Sequence, residues 1–311
     1  MLFKLPKRHG SSLAVLMFYG FVFCTGLCHA DPPQHILFIN SYHEGYKGTD
    51  DIVSGFRSVI RKAFPSVRIK TEYLDSKNFS GAEYDEQLYQ LLRHKYKTNH
   101  FDLIVASDDY AFNIVEKCHS DFFESLPVVF CGTNAFDIKR TEGKDNFVGI
   151  DERPSFRESI ELVFRLRPKT GHIVVIHDDS VTGRLNSNAF RTEAARFARK
   201  AKFEYLAGRC LEDLAEHIRS LASDTAVFYF SSFVNDRNGK YHSSGDALET
   251  LAFQSPVPIF GGWEFSLGHG IIGGKLINLK NHGTEAGLLA VQILSGKPLA
   301  SLPRLSPSPN Q

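Results

Sequence analysis

The sequence predicts an α/β protein built as two doubly wound, parallel-sheet lobes with a cleft between them. Three observations predict it. Short apolar runs alternate with amphipathic segments, the rhythm of a parallel sheet with helices on both faces. The rhythm pauses in a polar link at 137–156, "DIKRTEGKDNFVGIDERPSF", and then restarts. The runs end in polar or aromatic loops rather than in tight turns.

In the first unit, strands are expected over 35–40, 67–74, 101–106 and 127–131. The first, Ile36-Leu37-Phe38-Ile39, stops at Asn40. Helices are expected over 49–63, 83–97 and 109–118. Ile52, Phe56, Val59, Ile60 and Ala63 recur at helical spacing on one face of the first helix. Thr49 is its expected N-cap, and Asp50 and Asp51 suit the positive end of the helix dipole. In the link, Val148-Gly149-Ile150 reads as a brief strand, and Pro154 can open a helix in its first turn. The second unit has expected helices over 155–166, 185–200, 211–221 and 243–253. Its strands are 172–177, 203–206, 226–230 and 257–261. A final strand over 271–278, "IIGGKLIN", and a helix over 283–295 follow. The last stretch, 297–311, carries four prolines and reads as an extended strap or as disordered.

The first thirty residues form a separate signal. Lys4, Lys7 and Arg8 precede an apolar run at 13–28, and "CHA" ends at Ala30 before Asp31-Pro32-Pro33. This pattern predicts a secretory signal peptide cut after Ala30. The run is shorter than the roughly 20 residues a membrane span needs. Bulky Phe23 and Leu27 argue against lipid modification of Cys24 or Cys28. The predicted mature chain, 31–311, holds 33 basic against 35 acidic residues, a net charge of −2. That balance gives no footing for nucleic acid or a membrane surface. The expected product is a soluble, exported, periplasmic protein. Its three cysteines, Cys118, Cys131 and Cys210, match no zinc spacing. They read as buried thiols or as a Cys118–Cys131 disulfide with one thiol left over.

Ligands of open α/β sheets sit beyond the carboxyl ends of the strands. There the sequence places Ser41, Tyr42 and His43; Asp108, Asp109 and Tyr110; Asn134; Asp178 and Thr182; Asn235; and Trp263 with Glu264. Turn chemistry accounts for Asn238-Gly239 but not for Tyr or Trp. These twelve are therefore the candidate ligand-binding residues. Ser41 and Thr182, at helix starts, are expected to hold an anionic group. Asp108 or Asp109 would pair an amine or hydroxyls, and Tyr42, Tyr110 and Trp263 would supply apolar faces.

Catalysis and cofactors have little support. Adjacent carboxylates after a strand diverge, and one commonly caps the next helix. His43-Glu44 lacks the H-E-x-x-H spacing of a zinc helix, so no metal is expected. There is no Gly-x-Ser-x-Gly elbow. The glycine string at 268–273 precedes an expected strand, whereas a dinucleotide site needs the strand first. No cofactor is expected and the protein is not read as an enzyme.

Four strings, "ILFINSYHEGYKGTDDIVSGF", "LIVASDDYAFNIV", "PVVFCGTNAFD" and "PIFGGWEFSLGHGIIGGKLIN", resemble in this order the ABC-transporter substrate-binding-like family of bacterial periplasmic proteins. The resemblance covers nearly all of 35–299. It implies the type I periplasmic binding-protein architecture, with a small-molecule ligand held between hinged lobes. Residues 31–148 plus part of 271–299 would form one lobe, 149–270 the other, and 300–311 a Pro-rich tail. The implied function is solute binding by hinge closure; the residue types at the strand ends, not the resemblance, suit a small polar or aromatic organic solute that is amino acid-like (an amino acid, short peptide or aromatic organic acid). The implied partner is the membrane permease of an ABC transporter. Members of the family also serve as extracellular sensors, so the alternative is a ligand-sensing subunit acting on a membrane histidine kinase or diguanylate cyclase. Sensors fused to their signalling module continue into a membrane helix, whereas this sequence runs to Gln311. That difference favours a free receptor or a separate sensor subunit.

Overall fold

In the computed structural model, the described residues are 1 and 34–311, without 99, 124, 125 and 135. The expected signal peptide, with Cys24 and Cys28, lies outside them. The chain forms β1 (His35–Asn40), α1 (Lys47–Ala63), β2 (Arg68–Tyr73), α2 (Ala82–Tyr96), β3 (Leu103–Ser107), α3 (Asp108–Phe122), β4 (Val128–Asn134) and β5 (Phe147–Glu152). It continues through α4 (Phe156–Leu166), β6 (His172–His177), α5 (Val181–Ala194), β7 (Lys202–Ala207), α6 (Leu211–Arg219) and β8 (Thr225–Tyr229). Then come β9 (Phe233–Asn235), β10 (Tyr241–Ser243), α7 (Ser244–Gln254), β11 (Ile259–Gly261), α8 (Leu279–Leu294) and β12 (Leu305–Ser306).

Two parallel sheets carry the fold. The first has the order β12-β5-β4-β3-β1-β2 and the second β11-β8-β6-β7; β9 and β10 make a small antiparallel hairpin. The central strands are apolar on both faces because both faces are covered. Ile36 and Phe38 of β1 join one core cluster, while Leu37 and Ile39 join the cluster on the opposite face. In the second sheet Ile173 and Val175 divide from Val174 and Ile176 in the same way. Phe38 packs edge-to-face on Phe56 of α1 at 5.0 Å, and burying such a ring contributes about 1.5–3 kcal/mol. Edge strand β2 is guarded by charged Arg68, Lys70 and Glu72.

The chain passes between the sheets three times: after β5, before α8, and after β12. Strand β5 runs across the expected lobe boundary at 148/149 and lies wholly in the first sheet, so the first passage comes after Glu152. Helix α8 returns to the first lobe and packs on α1, backbone almost against backbone. A Cβ on Gly55 would come within 2.0 Å of the Lys280 carbonyl, and one on Gly283 within 2.0 Å of the Ile52 carbonyl.

Two expectations, the start of α1 and the strand over 271–278, are corrected, and two alternatives left open, the tail and the cysteines, are decided. Helix α1 begins at Lys47, with Tyr46 rather than Thr49 at the cap position. Gly45, at φ +87°, turns the chain early, and its N–H is taken by Asp50 at 3.2 Å. The segment 271–278 is not a regular strand. Gly273 sits at φ +145°, which interrupts the extended backbone, and the segment makes scattered backbone hydrogen bonds with Ile259, Gly261, Gly262 and Glu264 instead of a continuous ladder. The proline-containing tail is an ordered strap: Leu305 and Ser306 pair with β5, and Gln311 exchanges backbone hydrogen bonds with Leu276 at 2.6 and 2.9 Å. Finally, Cys118, Cys131 and Cys210 are all free thiols; burial pushes Cys118 up to about 12. Among the described residues, no helix is long and apolar enough to cross a membrane.

Candidate functional site

The carboxyl ends of the two sheets converge on one group of charged and aromatic side chains. At its centre is Asp108, the first residue of α3. It stands at φ +69°, in the left-handed region that costs a side-chain-bearing residue on the order of 1–3 kcal/mol. Gly132, at φ +71°, leaves room for it: a Cβ there would meet Asp108 Oδ1 at 3.3 Å. Asp108 is buried, and its carboxylate accepts a hydrogen bond from Ser107 Oγ at 3.1 Å. Burial, and then the charge of Asp109, raise its pKa to about 7, against the pull of Ser107 and Lys77.

The neighbouring acids are more fully engaged. Asp109, also raised by burial, accepts from the Asn134 side chain at 2.8 Å and backbone N–H at 3.2 Å. Glu152 ends β5 and is raised by burial and then by Asp108; the Trp263 indole donates to it at 3.0 Å. Asp178 accepts the backbone N–H groups of Ser180 at 2.9 Å and Ser232 at 2.6 Å, tying together the loops after β6 and β8.

Two tyrosines and a lysine complete the group. Tyr42 and Tyr46 meet edge-to-face at 5.1 Å. The Lys77 ammonium lies over both rings, 4.3 and 4.7 Å from their centres. Tyr42 is raised by burial and then by Asp108; Tyr46 by burial, Asp108 and then Tyr241. Lys77 is exposed, yet desolvation by its surroundings lowers its pKa, opposed by Asp108 of the first lobe and Asp178 of the second. These mutual influences join residues from both sheets.

Several expected residues do other work. Ser41 is fully buried; its hydroxyl donates to the Ser107 carbonyl at 2.8 Å and accepts the Ala111 N–H at 2.8 Å, bracing β1 against α3. Tyr110 bonds Asp85 of α2 and packs against the core of the first lobe. Trp263 is buried beside Phe156 and Phe230, leaving little ring surface open. His43 pairs with Asp75 at 3.2 Å. Asn235 and Glu264 are exposed, and Thr182 is the second residue of α5, behind the capping Ser180. Sequence reasoning missed Tyr46, Lys77, Glu152 and Tyr241. Lys77 and Glu152 follow from the same rule applied to two further strand ends, "LDSKNFS" and "GIDERP". Tyr241 carries no such signal. A separate open groove of about 690 Å³ runs along α1 and β2, lined by Glu44, Asp50, Arg57, Arg61 and Tyr73. It shares none of the converging residues.

Two parallel-sheet lobes with charged side chains gathered where the strand ends face each other define a ligand-binding architecture. Residues 46–308 match the family model described as ABC transporter substrate binding protein, and the chain belongs to that family. It is 24% identical over 250 residues to the tyrosine-binding protein of Clostridioides difficile (strain R20291), across 78% of this chain and 70% of that one. Among solved structures it is similar to a ligand-free, open substrate-binding protein with adhesive properties from Clostridium difficile. The TM-score is 0.63 at 16% identity, over 88% of this chain and 89% of that one. It is also similar to an ABC domain from Streptococcus pneumonia in complex with L-Trp. There the TM-score is 0.60 at 16% identity, over 89% and 90% of the two chains. These likenesses establish the fold, that of the type I periplasmic binding proteins.

Proposed function

We propose that this protein is the exported, periplasmic solute receptor of an ABC-type uptake system. It would bind a small amine-bearing aromatic solute, amino acid-like, between its lobes and present the closed form to a membrane permease. One observation carries the reading: Asp108 is buried and held in a left-handed conformation with a single side-chain donor. A carboxylate kept in that state gains most from an incoming ammonium. Tyr42 and Tyr46 offer ring faces beside it. Asp109 and Asn134 would fix the floor of the site, and Asp178 its opposite wall. Closure by rotation about the three passages between the sheets would shut the ligand away from water. The relatives named for tyrosine and for L-Trp support the choice of aromatic amino acids as first ligands.

The test is calorimetric titration of the purified protein with L-tyrosine, L-tryptophan, aliphatic amino acids, sugars and aromatic acids lacking an amine. The reading expects heat from the aromatic amino acids and none from the amine-free acids. Binding of a sugar or an amine-free acid alone contradicts it.

A further inference from the structure

Resting on that reading, we infer that Lys77 is the partner of the ligand's carboxylate, so that the site selects α-amino acids over the amines left by their decarboxylation. Most charges at the converging strand ends are already committed. Asp109 is bonded to Asn134, Glu152 to Trp263, and Asp178 to two backbone N–H groups. Two remain: Asp108, with one hydroxyl partner, and Lys77, which makes no ion pair among the described residues. They are of opposite sign and within electrostatic reach of each other. Together they form a reader for a zwitterion.

The geometry holds Lys77 for this role. Its ammonium sits across the rings of Tyr42 and Tyr46, which face each other edge-on. Cation–π contacts of this kind fix a lysine head group without using its hydrogen-bond donors. All three N–H groups stay available for charge-assisted bonds to a carboxylate. Such a cation is needed, because Asp108, Asp109, Glu152 and Asp178 would otherwise repel an anionic ligand group. The Ser41 hydroxyl, the other expected anion partner, is turned into the lobe. The competing candidate is the first turn of α5, where Ser180 already takes the Gly183 N–H.

The test compares L-tyrosine with tyramine, which keeps the ring and the amine but lacks the carboxylate. Both are titrated calorimetrically into the wild type, Lys77→Gln and Lys77→Arg. Expected is a loss of about tenfold to a hundredfold for L-tyrosine in Lys77→Gln, little change for tyramine, and partial recovery in Lys77→Arg. Equal weakening of both ligands would overturn the inference, since Lys77 would then only prop the two tyrosines. Unchanged L-tyrosine binding would overturn it in favour of the α5 turn. A wild type that binds tyramine as tightly as L-tyrosine would overturn it while sparing the amine reading. A wild type that binds neither, nor L-tryptophan, would overturn the amino-acid reading and this inference with it.

Discussion

The indole N–H of Trp263 donates to the Glu152 carboxylate at 3.0 Å. It joins the loop after β11 in the second sheet to the last residue of β5 in the first. Both side chains are buried, at 8% and 4% exposure. The bond therefore ties the two lobes beside the passage the chain takes between them.

Trp263→Phe leaves Glu152 buried without that donor. The expected cost is about 1–3 kcal/mol of stability. Glu152→Gln keeps an acceptor for the indole and should cost less. Urea denaturation of the two variants checks the order.

The stability of the ligand-free protein should fall as pH rises from about 4 to about 7. Asp108 is raised from an ordinary 3.8 to about 7 by burial and by Asp109. Within that window the folded state binds more protons than the unfolded one, so deprotonation favours unfolding. The contribution is complete above about 7, and raised Glu152 adds the same sign. Asp108→Asn should flatten the slope, which denaturation midpoints across the window would register.

Ser41→Ala removes the hydroxyl that bridges the Ser107 carbonyl and the Ala111 N–H. A loss of about 1–3 kcal/mol is expected, with ligand affinity nearly unchanged. A large affinity loss at unchanged stability would return Ser41 to the ligand's side.

Gly283→Ala drives a methyl group onto the Ile52 carbonyl, where α8 and α1 nearly touch. Overpacking of this kind costs about 1–3 kcal/mol or more. A thermal melt of the variant should show the drop.

Much of the fold is legible because both-face burial writes continuous apolar runs, as in Ile36–Ile39 and Ile173–Ile176. The segment 271–278 misleads because its apolar residues suit a strand, while Gly273 and its positive φ do not. The site is half legible. The strand-end rule points to Tyr42, Asp108, Asp109, Asn134 and Asp178, which belong to the proposed site. Sequence cannot tell a hydroxyl facing the cleft from one turned inward, which is why Ser41 and Tyr110 were expected outward and serve inside the first lobe. Lys77 stands beyond a strand end as well, in "LDSKNFS", but that position does not show that two tyrosines from another loop meet its ammonium.

The most direct test of the central claim is a thermal-shift comparison of wild type and Asp108→Asn with L-tyrosine and L-tryptophan. Asn tolerates the left-handed backbone, so the variant should fold. At 100 times its dissociation constant, a ligand adds about 2.7 kcal/mol to stability. The account predicts a clear upward shift in the wild type and its loss in Asp108→Asn. An equal shift in both proteins, or none in the wild type with either amino acid, would contradict it.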